Sequence, residues 1–180
     1  IPVAPYRAVA SLDSLKEAVT ELGLPIVLKT VTGGYDGKGQ FVLRSEDQID
    51  TAWTELGPAK SLIAESFVKF SREVSIIAVR GQDGDVKTWA LAENHHHNGI
   101  LSHSIVPAPN STDLQPVAQD YITRLLNNLN YVGVLTLELF VTEQGLYANE
   151  MACRVHNSGH WSIDGAICSQ FENHIRAVAG

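Results

Sequence analysis

Apolar residues recur at two different periods along this chain, and the switch between them predicts an α+β architecture. Leu12, Leu15, Ala18, Val19 and Leu22 fall at helical spacing, with Ser11 placed to cap that helix and Gly23 to end it. Pro25 to Thr30 then has the composition of a buried strand, a glycine-rich stretch follows, and Gln40 to Leu43 predicts a second strand. Ser45 and Gln48 have the spacing of a capping box for a helix through about Leu56, and Ser61 to Glu65 is the next expected strand.

Beyond that point β-branched and aromatic residues dominate. Glu73 to Arg80 and Val86 to Asn94 flank Gly81-Gln82-Asp83-Gly84-Asp85, the pattern of a hairpin. Ile100 to Val106 adds a strand, Pro107 to Asp113 is a loop by its Pro, Asn, Ser and Thr content, and helix returns from about Leu114 to Leu129. Val132 to Val141 and Leu146 to Met151 are expected to pair as strands, with Asp164 to Val178 as a closing helix. No internal repeat or linker-like run interrupts the pattern. The expected layout is a small α+β lobe over 1–66 and a larger antiparallel-sheet lobe over 67–180.

Composition narrows the class. With 180 residues and 44% hydrophobic content the chain can bury a real core. A formal net charge of -7 gives no electrostatic support for nucleic acid or anionic lipid as partners, so an anionic ligand needs local help. No apolar run approaches the roughly 20 residues of a membrane span, and Ile1 to Arg7 do not form a signal sequence. Two cysteines, Cys153 and Cys168, are too few for a disulfide framework, which fits a reducing, cytoplasmic setting. The chain begins at Ile1 and its one methionine is Met151, so a piece of a longer protein is expected.

The candidate chemistry starts with two carboxylates. If the turn after Thr142 is the three-residue Glu143-Gln144-Gly145 with a left-handed glycine, Glu138 faces Glu150 across the hairpin. Like charges there, with Cβ atoms about 4.5–5.5 Å apart, destabilise the pair unless something neutralises them. A divalent cation would, and hard oxygen ligands suit magnesium. A two-residue turn would instead pair Glu138 with Asn149, and a merely hydrated pair of glutamates remains the alternative. Leu135, Leu137 and Leu139 would point to the opposite, core-facing side.

Gly33-Gly34-Tyr35-Asp36-Gly37-Lys38-Gly39 directly follows a strand ending in Lys29-Thr30. Such a loop can bring backbone N–H groups close to phosphate oxygens, although it matches neither the P-loop nor the dinucleotide fingerprint. Lys29 at the end of an apolar run needs an anionic partner, and a phosphate is one. His95-His96-His97 cannot all face one ion from a regular strand, so a polar loop end is expected there. Arg154-Val155-His156-Asn157-Ser158-Gly159-His160-Trp161, just after Glu150, concentrates donors suited to a small oxyanion, with a structural loop as the alternative.

Taken in order, Thr32 to Gln40, Asn149-Glu150, Arg154 to Trp161 and Ser169-Gln170-Phe171-Glu172 resemble the ATP-grasp domain of the carboxyaminoimidazole ribonucleotide synthetases over nearly the whole chain. The resemblance implies an ATP-grasp fold of two α+β lobes with the nucleotide held between them. It implies a ligase that uses ATP, Mg2+ or Mn2+, and bicarbonate to carboxylate aminoimidazole ribonucleotide through carboxyphosphate in purine biosynthesis. It also implies a homodimer.

By that resemblance Lys29 would contact ATP phosphates, and Gly34, Tyr35, Asp36, Gly37, Lys38, Gly39 and Gln40 would close over them. Glu65, Ser66, Phe67 and Val68 would receive adenine, Glu73 would hold the ribose hydroxyls, and His96 and Asn149 would lie beside the nucleotide. Glu138 and Glu150 would bind the metal, while Arg154, His156 and Asn157 would orient bicarbonate. An ideal strand points Asn149 away from the glutamate face, so its role requires a bulge or a backbone contact. Cys153 stands where the family usually has proline. The family's preceding α/β domain and following small domain have no counterpart in these 180 residues, which would limit turnover by this piece alone. Two other readings stay open: another ATP-grasp carboxylase or ligase, and a catalytically silent nucleotide-binding module.

Overall fold

The computed structural model describes residues 1–33, 39–57, 61–97 and 99–180. The chain forms two units, one chiefly Ala4–Lys69 and the other Phe70–His97 and Leu101–Gly180 together with Ile1–Val3.

The first unit is built on a four-stranded antiparallel sheet. Its elements are β1 (Tyr6–Val9), α1 (Leu12–Leu22), β2 (Ile26–Thr30), β3 (Gln40–Leu43), α2 (Ile49–Leu56) and β4 (Leu62–Ser66), with strand order β1-β4-β2-β3. Ser11 caps α1 as its sequence predicts, in a reciprocal box with Ser14. Leu15, Ala18 and Val19 of α1 and Ile49, Ala52 and Leu56 of α2 bury against Ile26, Leu28, Leu43, Leu62 and Ala64 of the sheet. The expected box of Ser45 and Gln48 does not form. Gln48 Oε1 instead accepts from the Arg44 amide at 2.8 Å, and a single 3-10 turn, Glu46–Gln48, precedes α2. β1 carries no alternation in its sequence because only Val9 is buried, and it holds its place by pairing with β4.

The second unit contains β5 (Arg72–Arg80), β6 (Val86–Thr88), β7 (Ala92–His97), β8 (Ile100–Ile105), α3 (Leu114–Asn128), β9 (Gly133–Thr142), β10 (Gly145–Ala152), α4 (Ser162–Gly165) and α5 (Gln170–Ala179). Its sheet runs β10-β9-β5-β7-β8, with β6 pairing β5. The single strand expected over Val86 to Asn94 is two, β6 and β7, separated at Trp89 to Leu91. His95, His96 and His97 end β7 rather than forming a loop. The closing helix also divides, because Ala166 is extended at φ -130 and ψ 154 and stops α4.

The sheet of this unit has one apolar and one mixed face. Val74, Ile76, Ala78, Leu135, Leu137, Leu139 and Leu146 bury together with Ala118, Ile122 and Leu126 of α3. On the other face Ile77, Val79 and Val134 pack with Trp89, Val155 and Ala177, and Ser75 and Glu138 lie beside them as register partners.

The β9–β10 hairpin departs from the three-residue turn in an instructive way. Thr142 pairs with Gly145, so the turn is Glu143-Gln144, with Gly145 at φ 116 and the Thr142 hydroxyl donating to Gly145 O at 2.9 Å. Left alone, that register would oppose Glu138 to Asn149. The ladder shifts between Ala148 and Glu150, leaving Asn149 as an extra residue and pairing Glu150 with Glu138 after all. The predicted pair is therefore present for a different reason, and the bulge that a role for Asn149 requires is present at Asn149 itself.

Candidate functional site

Three groups converge on the mixed face of the second unit. One carboxylate oxygen from each of Glu138 and Glu150 and one ring nitrogen of His156 all lie within 4.8 Å of one another. His156 Nε2 is 3.2 Å from Glu138 Oε1, and both side chains are largely buried, 8% and 13% exposed. A carboxylate so placed needs neutralising partners, because burial strips it of water. The imidazole lies against one side of Glu138.

The segment after β10 is fixed from behind by Gln170, the first residue of α5, which is fully buried. Its side-chain oxygen accepts from the His156 amide at 2.9 Å and its nitrogen donates to His156 O at 2.6 Å. Gln170's own amide donates to Ser162 Oγ, which in turn donates to Gly159 O. At Gly159 a Cβ would lie 2.6 Å from both Gln170 Oε1 and Ile77 Cδ1, so only glycine permits this approach. His156 is thus held by its backbone as well as its ring. Its neighbours Arg154 and Asn157 are exposed, with Arg154 donating to Val155 O at 3.0 Å and Asn157 Oδ1 accepting from the Ser158 amide at 3.0 Å.

Glu73 on β5 and His96 on β7 form a second pair, with His96 Nδ1 3.3 Å from Glu73 Oε2. The hydrogen bond that His96 donates to Glu73 raises the His96 pKa above 6.5, with burial opposing the rise and the charges of Glu73, Glu138 and Glu150 adding to it. Strand alternation sends His95 the other way, where its ring stacks on His103 at 4.5 Å. The three consecutive histidines therefore do not share one site.

In the first unit Lys29 Nζ is 2.6 Å from Glu65 Oε2, so the lysine at the end of the apolar run does have an anionic partner within the fold. Gln40 is the register partner of Lys29, and Thr30 N donates to Gly39 O at 2.8 Å. Phe67 is exposed with the Arg44 guanidinium 5.9 Å from its ring centroid, while Ser66 and Val68 are half-buried. Gly34, Tyr35, Asp36, Gly37 and Lys38 lie outside the described residues.

The donor set of the second unit fits a hard divalent cation. Glu138 and Glu150 offer carboxylate oxygens to one point, the arrangement magnesium accepts alongside water and phosphate oxygens. His156 is less suited to be a ligand, because its Nδ1 accepts from the Ser158 amide at 3.3 Å and its Nε2 is directed at a carboxylate. Among the described residues no other group of three or more His, Cys, Asp or Glu side chains is gathered closely enough to hold a metal.

The sequence did not single out Gln170 or Ser75 for a role. Ser75 carried a usable signal, a hydroxyl inside the apolar run Val74 to Val79, whereas Gln170 at a helix start looks like any solvated residue. Its burial depends on the fold of the 156–159 segment.

Comparison with known proteins places the chain in a family. The model of the ATP-grasp domain matches residues 1–171. The N5-carboxyaminoimidazole ribonucleotide synthase of Pseudomonas aeruginosa is 51% identical over 180 residues, covering 100% of this chain and 49% of that protein. That of Bacillus subtilis is 51% identical over 179 residues, covering 99% and 47%. The chain thus spans about half the length of these relatives. Among solved structures, N5-carboxyaminoimidazole ribonucleotide synthetase from Thermus thermophilus superposes with a TM-score of 0.89 at 47% identity, covering 100% of this chain and 48% of that one. The Aspergillus clavatus enzyme in complex with ADP and 5-aminoimidazole ribonucleotide gives 0.89 at 31%, covering 99% and 47%. With the family model matched from the first residue to Phe171, this chain belongs to the ATP-grasp family, and its relatives at about half identity are N5-carboxyaminoimidazole ribonucleotide synthases.

Proposed function

We propose that this chain is the ATP-using part of an enzyme that carboxylates the amino group of aminoimidazole ribonucleotide with bicarbonate. The observation that carries the reading is the opposition of Glu138 and Glu150 with His156 on one of them. The relatives named above support the substrate assignment, because they share the chain's whole length and one is solved with ADP and the ribonucleotide.

In this reading Glu138 and Glu150 hold magnesium, or manganese, and the cation supplies charge neutralisation at the phosphates when bound. A bicarbonate oxygen attacks the terminal phosphorus of ATP, the bond to ADP breaks, and carboxyphosphate results. The ribonucleotide's amino nitrogen then attacks the carboxyl carbon, phosphate leaves, and a proton is lost from nitrogen. Arg154 and Asn157, exposed beside the carboxylates in sequence, orient the small anion by charge and hydrogen bonding. His156 acts from behind them by holding Glu138. Glu73 and His96 bind the nucleotide's polar groups, Asn149 lies beside it through the bulge, and in the first unit Lys29 binds phosphate. A homodimer and a cytoplasmic setting belong to the same reading; no helix among the described residues is long and apolar enough to cross a membrane.

The test is ADP release by the full-length parent enzyme with and without bicarbonate, in the presence and absence of the ribonucleotide. Bicarbonate-dependent release that Arg154→Ala abolishes is the expected result. Release independent of bicarbonate would point to a different acceptor, and no release at all to a silent nucleotide-binding module.

A further inference from the structure

We propose that Ser75, Asn94 and Ser158 are positioning residues that decide which nitrogen of His156 carries its proton, making His156 a hydrogen-bond donor to Glu138 rather than a metal ligand. The inference rests on the reading of Glu138 as a cation-binding carboxylate, and goes beyond it by assigning work to buried side chains that touch neither substrate nor ion.

Five side chains form a hydrogen-bonded sequence with one direction. The Ser104 hydroxyl donates to Asn94 Oδ1 at 2.8 Å, and Asn94 Nδ2 donates to Ser75 Oγ at 3.0 Å. The Ser75 hydroxyl donates to Ser158 Oγ at 2.9 Å, and Ser158 Oγ lies 2.9 Å from His156 Nδ1. A hydroxyl has one proton to give. Ser75 receives from Asn94 and so gives to Ser158, which leaves the Ser158 proton for Nδ1. The Ser158 backbone amide points the same way, donating to Nδ1 at 3.3 Å. With Nδ1 an acceptor, the ring proton belongs on Nε2, where Glu138 Oε1 waits at 3.2 Å.

The opposite direction fails at its last link. Were Asn94 to present its carbonyl to Ser75, every donor would reverse, Nδ1 would carry the proton, and a bare Nε2 lone pair would face a carboxylate. Burial makes the choice costly to ignore: Ser75 is 0% exposed, Ser158 1%, Asn94 6% and His156 7%, and an unmatched polar group at such depth has no water to turn to. The sequence also closes on itself, because Ser75 on β5 is the register partner of Glu138 on β9. The donors thus leave one end of a rung of the sheet and return to its other end through the 156–158 segment. Protonated Nε2 has no lone pair for a cation, so the two glutamates remain the ligands and His156 sets the orientation of one.

Asn94 is the residue whose chemistry sets the direction. An aspartate of nearly the same shape has no N–H to give, so Ser75 must donate to it, Ser158 to Ser75, and Nδ1 must hold a proton. Long-range proton–nitrogen correlation spectra of the 15N-labelled chain read this directly, with the His156 ring assigned by its loss in His156→Gln. The native protein, at a pH where the ring is neutral, should show a protonated Nε2 and a bare Nδ1, and Asn94→Asp should move the proton to Nδ1. A native ring protonated on Nδ1 overturns the proposal, as does a folded Asn94→Asp protein with an unchanged spectrum. If Asn94→Asp does not fold, the native spectrum alone decides. Magnesium titrated into the same sample separates the two readings. Absence of any cation effect on Glu138 with the Nε2 proton in place would remove the cation reading and leave the donor sequence standing.

Discussion

Glu138 on β9 and Glu150 on β10 face each other across one rung of an antiparallel ladder, the position at which two like charges repel most. In Glu150→Gln the repulsion is gone, so without divalent cation the variant should be more stable than the native chain by about 0.2–1 kcal/mol. Added magnesium should stabilise the native chain and leave the variant nearly unmoved. Chemical denaturation with and without magnesium measures both; equal responses would refute the cation assignment. In the parent enzyme, Glu138→Gln and Glu150→Gln should each lower magnesium-ATP affinity or turnover.

His96 should titrate above 6.5 in the folded chain, chiefly because Glu73 accepts its hydrogen bond. A folded pKa above the unfolded one means that the interaction contributes fully below about pH 6.5 and is lost as pH rises through the folded value. Glu73→Gln should bring the His96 titration down toward the ordinary range and flatten that part of the stability profile. An NMR titration of the His96 ring checks this, and an unshifted titration in the variant would show that Glu73 is not the cause.

Replacing Gln170 by leucine removes both hydrogen bonds to the His156 backbone and leaves two buried groups unmatched. Each such group costs about 1–3 kcal/mol, so a loss of at least about 2 kcal/mol is expected in denaturant unfolding. Gln170→Glu at neutral pH sets a buried carboxylate oxygen against the His156 carbonyl and should cost more than the leucine variant. Amide exchange at 156–159 should quicken in the same order.

At Gly159 an added methyl meets the Gln170 amide and the Ile77 side chain at 2.6 Å. Gly159→Ala should cost about 1–3 kcal/mol through overpacking. Gly23→Ala, where nothing lies within 4 Å but φ is 72, tests the contrasting case of backbone strain without a clash.

Much of the fold was legible because burial follows simple periods. The face of α1 is set by Leu15, Ala18 and Val19, and the inward side of β9 by Leu135, Leu137 and Leu139, all as their spacing predicts. The errors fall where tertiary contacts override local pattern. β1 exists only because β4 is beside it, and the break at Trp89 to Leu91 has no breaker residue to announce it. At the candidate site the carboxylate pair was visible as a glutamate inside an apolar run. Gln170, Ser75 and Asn94 owe their positions to neighbours distant in sequence, which no short window contains.

The extra residue at Asn149 has a consequence for how this hairpin tolerates change. Leu146 packs into the apolar interior while Glu150, four positions on, projects from the opposite side, which uninterrupted alternation forbids. One inserted residue acts as a half-period phase shift between a tip that answers only to packing and a base that answers to chemistry. Substitutions at Glu143 and Gln144 are therefore insulated from the acidic pair, and deleting a single residue between Leu146 and Glu150 would absorb the extra position, giving an uninterrupted ladder in which Leu146 still packs inward and Glu150 still opposes Glu138.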